Sequence, residues 1–299
     1  MSGESSRLRG VALYLGAVGV FSSMDAVTKF LVTGLPTLEV MWARFGFHLL
    51  VMAVALRAVR GPLPWRARVP GVQIVRSLSL ALCNLLFALA LRRVPLADAT
   101  AINFVGPVIT VALAAIWLHE PVGWRRWVGV ALGMAGVLAV VRPGPGMANP
   151  AGLYAFASAC VFAMYQILTR KLAGRDSAQT TILHTGIWAT LGTTLALPFV
   201  WVWPGWTGLG LMVLLGALGG FGHYLLVLAY ERAPASVIAP LGYCGLIFAV
   251  TYGLVLFGEL PNLAMLAGAA VIAGGGLVVI SGERPAPLPA RSARENLAA

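Results

Sequence analysis

Apolar residues along this chain come in long runs, and the polar positions collect between them. A helix needs about 20 apolar residues to cross the hydrocarbon of a bilayer. Breaks of Pro, Gly, Arg and Asn leave about ten such runs. They are 9–33, 37–57, 71–91, 96–118, 124–141, 150–170, 179–201, 207–230, 236–257 and 262–281. The pattern predicts an all-α integral membrane protein, with short connections and antiparallel neighbours. Residues 1–8 read as a short N-terminal segment. Residues 282–299, polar and Pro-rich, read as a disordered tail. The first run is long and interrupted by Asp25 and Lys29, unlike a signal h-region, so no cleavage is expected.

Composition strengthens this reading. Hydrophobic residues make up 59% of the chain and charged ones only 10%, against about 25% charged in a soluble domain. The net charge of +11 matters through its placement. Arg7, Arg9, Arg57, Arg60, Arg66, Arg68, Arg125, Arg126, Arg170, Lys171, Arg175, Arg232, Arg284, Arg291 and Arg294 all fall on one side of the predicted topology. Arg92, Arg93 and Arg142 fall on the other. The positive-inside rule then puts both termini in the cytoplasm, and the basic residues face lipid headgroups, not nucleic acid. Cys83, Cys160 and Cys244 lie within apolar runs and show no Cys-x-x-Cys spacing, so they read as small core residues.

The chain also repeats itself. Residues 92–141 align without a gap on 231–280, pairing Pro95 with Pro234, Gly106 with Gly245, Glu120 with Glu259, Gly129 with Gly268 and Gly136 with Gly275. Moved by one residue, the register pairs Tyr14 with Tyr154, Met24 with Met164, Arg44 with His184 and Gly46 with Gly186. Five runs per copy is an odd number, so the second copy must enter the membrane from the opposite face. Inverted repeats of this kind place substrate near the midplane between the halves in many transporters.

Two copies of Pro…Gly…Glu…Gly…Gly, each closing on a Gly-rich helix, resemble the EamA repeat of the drug/metabolite transporter superfamily. More narrowly, they resemble the YddG-type amino-acid and metabolite exporters. The resemblance covers about residues 8–281, with repeats at 9–141 and 150–281. It implies four helices from each half around a central cavity, with the fifth and tenth as outer supports. Two departures stand out. Leu246 occupies the place of Pro107, so the Gly-Pro break at that position is expected only in the first copy. His119-Glu120-Pro121 replaces the usual Gly-Glu.

Glu120 and Glu259 each precede a helix, where a carboxylate suits the positive end and Pro the first turn. They read as caps, with a proton-coupling carboxylate as the alternative. Gly129, Gly133, Gly136, Gly268 and Gly274–Gly276 allow close helix contact. Gly106, Pro107 and Pro240 break two spans and serve either as inert kinks or as hinges.

The polar groups inside the runs carry the candidate chemistry. Each charge at the centre of a spanning helix costs about 2.5–3.5 kcal/mol. Asp25 and Lys29 are four apart, acid first, the favourable helical order. Glu39 and Arg44 lie at similar depth on the next span. These four are expected to neutralise one another, as a static strut or as a gate, with Asp98 able to join. At the opposite face Tyr165, Gln166, Arg170 and His184 form the matching set. Candidate lining residues of the cavity are Ser23, Met24, His48, Asn84, Phe87, Asn103, Phe104, Tyr165, Trp188, His223, Tyr224 and Tyr243. Apolar walls with a few polar groups suit a small ligand.

The function expected is a secondary transporter of the bacterial inner membrane, exporting amino acids and related small metabolites by alternating access. The alternative is a nucleotide-sugar or phosphate-ester exchanger. An intramembrane enzyme would need a catalytic constellation that the sequence lacks. No cofactor, metal or nucleic acid is expected. The expected partners are a small solute and lipid, and the expected state is a monomer, with a dimer left open.

Overall fold

The computed structural model describes residues 2–60, 65–117, 124–141, 151–172, 175–232 and 239–281. The regular structure among them is helical. The first half contains α1 (Ser2–Gly34), α2 (Thr37–Arg60), α3 (Pro70–Leu91), α4 (Leu96–Asn103), α5 (Gly106–Trp117) and α6 (Trp124–Val141). The second contains α7 (Gly152–Leu172), α8 (Ala178–Thr194), α9 (Leu197–Val200), α10 (Gly205–Arg232), a 3-10 turn η1 (Ala239–Cys244), α11 (Gly245–Phe257) and α12 (Leu263–Ser281). Among the described residues, five helices are long and apolar enough to cross a membrane, within α1, α2, α3, α7 and α10. Shorter apolar helices occupy 96–110, 127–140, 241–257 and 263–275.

Three boundaries differ from the sequence reading. The helix of α1 begins at Ser2, so the N-terminal segment continues the first helix, while its apolar span begins at Leu8. The run 179–201 is divided between α8 and α9, where Pro198 occupies the first turn of α9. The third difference concerns the helix break. It occurs in both copies and at the same repeat position, since α5 starts at Gly106 and α11 at Gly245. A Gly-Pro pair is therefore not required, because Leu246 follows Gly245; in the second copy the proline, Pro240, stands earlier, in η1. Both glycines stand close to an aromatic ring. A Cβ on Gly106 would lie 3.3 Å from the Phe162 ring, and one on Gly245 3.3 Å from the Phe104 ring. At each break a glycine lets an aromatic ring from the opposite repeat come close.

The halves pack reciprocally. α3 lies against α7 and α8, while its repeat partner α10 lies against α1 and α2. α6 packs on α12, nearly backbone to backbone. A Cβ on Gly136 would meet Ile272 Cγ1 at 2.6 Å and the Gly268 carbonyl at 2.7 Å, and one on Gly275 would meet the Gly129 carbonyl at 2.8 Å. Small residues give membrane helices this approach, since lipid supplies no hydrophobic drive between them. The main core joins both halves, from Met24 and Met41 through Phe87 and Ile102 to Met212, Met265 and Ile272.

Antiparallel connections sort the elements into two ends. One gathers the C-terminal ends of α1, α3 and α11 with the starts of α2, α4 and α10; it is called here the Lys29 end. The other gathers the start of α3, the end of α7 and the start of α8; it is the Arg76 end.

Candidate functional site

At the Lys29 end, the Lys29 ammonium lies 2.6 Å from Glu259 Oε1 and donates to the Val94 carbonyl at 2.8 Å. It is 6% exposed and sits 5.4 Å from the Phe257 ring centroid. The other Glu259 oxygen accepts the Leu96 N–H at 2.8 Å. Leu96 is the first residue of α4, whose cap position is Pro95 and has no side-chain cap of its own. Glu259 is presented by the left-handed Gly258, φ 66°, which ends α11. Its neighbour Gly253 leaves room for the carboxylate, since a Cβ there would lie 3.4 Å from Glu259 Oε2. Glu259 is thus a cap, but of a helix in the opposite repeat. The helix it was expected to open, α12, is capped by Asn262, whose Oδ1 accepts the Met265 N–H at 2.8 Å.

The expected quartet of charges does not assemble. Lys29 binds Glu259. Glu39 accepts the Val202 N–H at 3.1 Å through Oε2, and its Oε1 has no hydrogen-bond partner among the described residues. Arg44 faces Asp25 alone, at 3.8 Å. The i,i+4 spacing permits an Asp25–Lys29 pair, but a carboxylate already fixed by a helix N-terminus is a better-held partner than a neighbour on the same helix.

At the Arg76 end, a residue that sequence reasoning missed occupies the centre. Arg76 is 4% exposed. Its Nε donates to Thr169 Oγ1 at 2.7 Å, Nη1 to Thr185 Oγ1 at 2.6 Å, and Nη2 to Tyr165 Oη at 2.7 Å. The guanidinium carbon also lies 4.5 Å from the Tyr165 ring centroid. All these partners belong to the second repeat. The available signal was a lone basic residue several positions inside an apolar run, with no acid on its own helix. Of the set expected there, Tyr165 takes part. Gln166 is exposed. His184 accepts the Trp188 indole N–H at Nδ1, 3.2 Å, and its Nε2 donates to the Trp65 carbonyl at 3.0 Å. The Arg170 side chain lies outside the described residues, as do Glu120 and the side chains of Pro107 and Pro240.

Beside this end, Asp176 in the α7–α8 loop accepts the Arg68 N–H at 2.7 Å and the Gln73 amide at 2.9 Å. The Arg68 N–H, aided by Gln73, holds its carboxyl below the ordinary value of 3.8 against a smaller opposing effect of burial.

Between the ends, contacts again cross the repeats. Ser23 Oγ and Tyr252 Oη are 2.8 Å apart. Phe104 and Tyr243 meet edge to face with ring centroids 5.3 Å apart. His223 packs edge to face on Phe21 at 5.1 Å and on His48 at 5.3 Å. Met24 and Phe87 are buried. Asn84 donates back to the Leu80 carbonyl of its own helix, and Asn103 Oδ1 is buried without a partner among the described residues. Tyr224 is not among these: it is 57% exposed on a face of α10 shared with Leu214 and Phe221, the outward side of that helix. Asp98 stands in the first turn of α4.

A model of the EamA-like transporter family matches residues 8–142 and again 149–281. The chain belongs to this family. It is therefore a membrane transporter of the drug/metabolite transporter superfamily, not an enzyme. The EamA-like chain is 28% identical over 277 residues to the S-adenosylmethionine uptake transporter of Rickettsia bellii, covering 93% of this chain and 95% of that one. It is 28% identical to the riboflavin transporter of Rhizobium johnstonii, covering 94% of each. It is 25% identical to the pseudopaline exporter CntI of Pseudomonas aeruginosa, covering 91% and 94%. A solved crystal structure at 22% identity superposes with a TM-score of 0.65, covering 95% of this chain and all of that one, and so shares its fold.

Proposed function

We propose that the protein is a secondary transporter of ten membrane crossings, with both termini cytoplasmic, whose repeats part alternately at the Lys29 end and the Arg76 end. The observation that carries this reading is the pair of polar ties at opposite ends, each joining one repeat to the other. Opening one while the other holds is the geometry that alternating access needs. The charge asymmetry of the loops supports the orientation, with the Arg76 end facing the cytoplasm.

The solute class we propose is amino acids and metabolites that carry an amino-acid head on an apolar or aromatic body. Aromatic contacts across the repeats supply the wall. The relatives are named for S-adenosylmethionine, itself an amino acid bearing a purine, for riboflavin, a flat ring system, and for pseudopaline. Those names include both uptake and export, so solute class is the better-supported part of the reading, and export of amino acids its narrower form. A phosphate ester fits less well. Lys29 is taken up by Glu259, Arg76 by hydroxyls and Arg44 faces Asp25, leaving no cluster of cations for a phosphate among the described residues.

Counterflow in proteoliposomes, measured in both directions with labelled phenylalanine, S-adenosylmethionine and riboflavin, tests this. Amino acids should exchange and compete with one another. Exchange of phosphorylated sugars without amino acids would overturn the solute class and leave the family assignment standing.

A further inference from the structure

We propose that Asp25 and Arg44 are the head-group site for a zwitterionic solute, Arg44 receiving its carboxylate and Asp25 its ammonium. The proposal rests on the amino-acid reading above and names the residues that would carry it.

Three basic side chains point into the body of the bundle, and they are satisfied very differently. Lys29 has a carboxylate at 2.6 Å and a carbonyl at 2.8 Å. Arg76 has a phenol and two threonine hydroxyls within 2.7 Å. Among the described residues Arg44 has only Asp25, at 3.8 Å, beyond hydrogen-bond distance. Neither Arg44 nor Asp25 makes a side-chain hydrogen bond to a described residue. An ion pair away from water repays its desolvation only when its remaining donors and acceptors are filled. This pair is the unfilled one. It is also the accessible one: the Arg44 and Asp25 side chains keep 14% and 26% of their surface, whereas Lys29 keeps 7%.

The chemistry left open is specific. A guanidinium with free donors presents a planar fork that matches a carboxylate. Asp25 presents acceptors to an ammonium. An α-amino acid holds both groups on one carbon, so it can enter a loosely closed pair and complete each charge without changing the net charge of the site. The neighbours suit the rest of such a molecule. His48 stands one turn after Arg44 on α2, and Phe21 and His48 flank the His223 ring. Met24, next to Asp25, is buried. The site lies on α1 and α2, between the two ties, where a solute would be reached from either end.

The test blocks one charge of the solute at a time. Wild-type protein in proteoliposomes is assayed for exchange of labelled phenylalanine against phenylalanine, N-acetylphenylalanine and phenylalanine methyl ester. Each blocked compound should compete about tenfold less well or worse, the loss of one charge-assisted contact. In Asp25→Asn the penalty for N-acetylation should disappear while that for esterification remains, and Arg44→Gln should do the converse. Blocked compounds that compete as well as phenylalanine on the wild type would overturn the proposal even if neither variant folds. Variants that weaken all three compounds by one common factor would also overturn it, since the pair would then act on shape alone. In both cases phenylalanine exchange by the wild type keeps the amino-acid reading alive. If the wild type exchanges no amino acid, that reading falls and takes the head-group site with it.

Discussion

At one end of the bundle a lysine meets a carboxylate, and at the other an arginine meets hydroxyls and a phenol. Both ties cross the repeats and both are buried, yet parting them leaves different debris. Separating Lys29 from Glu259 strands two opposite charges and uncovers the first N–H of α4. Separating Arg76 from Tyr165, Thr169 and Thr185 strands one cation and no anion. The two threonines already donate to carbonyls of their own helices, Thr169 to Tyr165 and Thr185 to Thr181, so they remain satisfied as donors. The repeat register pairs Lys29 with a position one turn beyond Tyr165, namely Thr169. Pseudo-symmetric positions thus carry unlike chemistry, and the two ends should differ in the cost of opening.

The sharpest way to break this comparison is to remove one charge. Lys29→Met should destabilise the protein by about 3–5 kcal/mol, because the Glu259 carboxylate is left buried and uncompensated. Adding Glu259→Gln should restore at least half of that, since the glutamine oxygen can still accept the Leu96 N–H. Thermal unfolding in detergent measures both, and a double variant no better than the single one would show that charge pairing is not what holds this end.

A control lies in the α6–α12 pair, whose residues take no part in either tie. Gly136→Ala places a Cβ against Ile272 and the Gly268 carbonyl, and backbone cannot yield as a side chain can. A loss of about 1–3 kcal/mol is expected, with the ranking of competing solutes unchanged. A changed ranking would mean that the α6–α12 pair takes part in solute selection.

At the Arg76 end, Arg76→Met should cost about 1–2 kcal/mol, clearly less than Lys29→Met, because no acid is stranded. Tyr165→Phe removes one hydrogen bond and keeps the ring under the guanidinium, so it should cost less again. Unfolding midpoints ordered the other way would reverse the comparison.

The smallest effect concerns pH. Asp176 is held below its ordinary value of 3.8, so its contribution is fully present above that value. It is lost as pH falls through the lower folded value. Stability near this loop should be flat from pH 5 to 8 and fall below about pH 4. Asp176→Asn should flatten that acid limb and cost under about 1 kcal/mol at neutral pH, as expected for a half-buried group still screened by solvent. Melting curves across pH for both proteins check it.

Much of the architecture was legible because a bilayer imposes length and apolarity on every crossing. The runs, the two copies and the glycine stripe of α6 and α12 all follow from local pattern. The site was legible only in its residue types. Asp25, Lys29, Glu39 and Arg44 were visible as charges in an apolar setting, but helical spacing reports neighbours on one helix. Lys29 and Glu39 found partners elsewhere, and Asp25 and Arg44 meet only loosely. Glu259 looked like the cap of the helix after it and caps one in the other half. Arg76 was passed over, although a lone base inside an apolar run was there to be seen.

The sequence by itself therefore determined the class, the repeat and the stock of buried charge, since each depends on composition and periodicity along the chain. Only the tertiary structure decided which charges are satisfied and which are left open. It also decided that the second copy restarts its helix at Gly245, after a 3-10 turn that carries Pro240, where the Phe104 ring of the opposite repeat lies close. Pairing energies act over a few ångströms, and here the groups within that reach lie up to 230 positions apart, as Lys29 and Glu259 do.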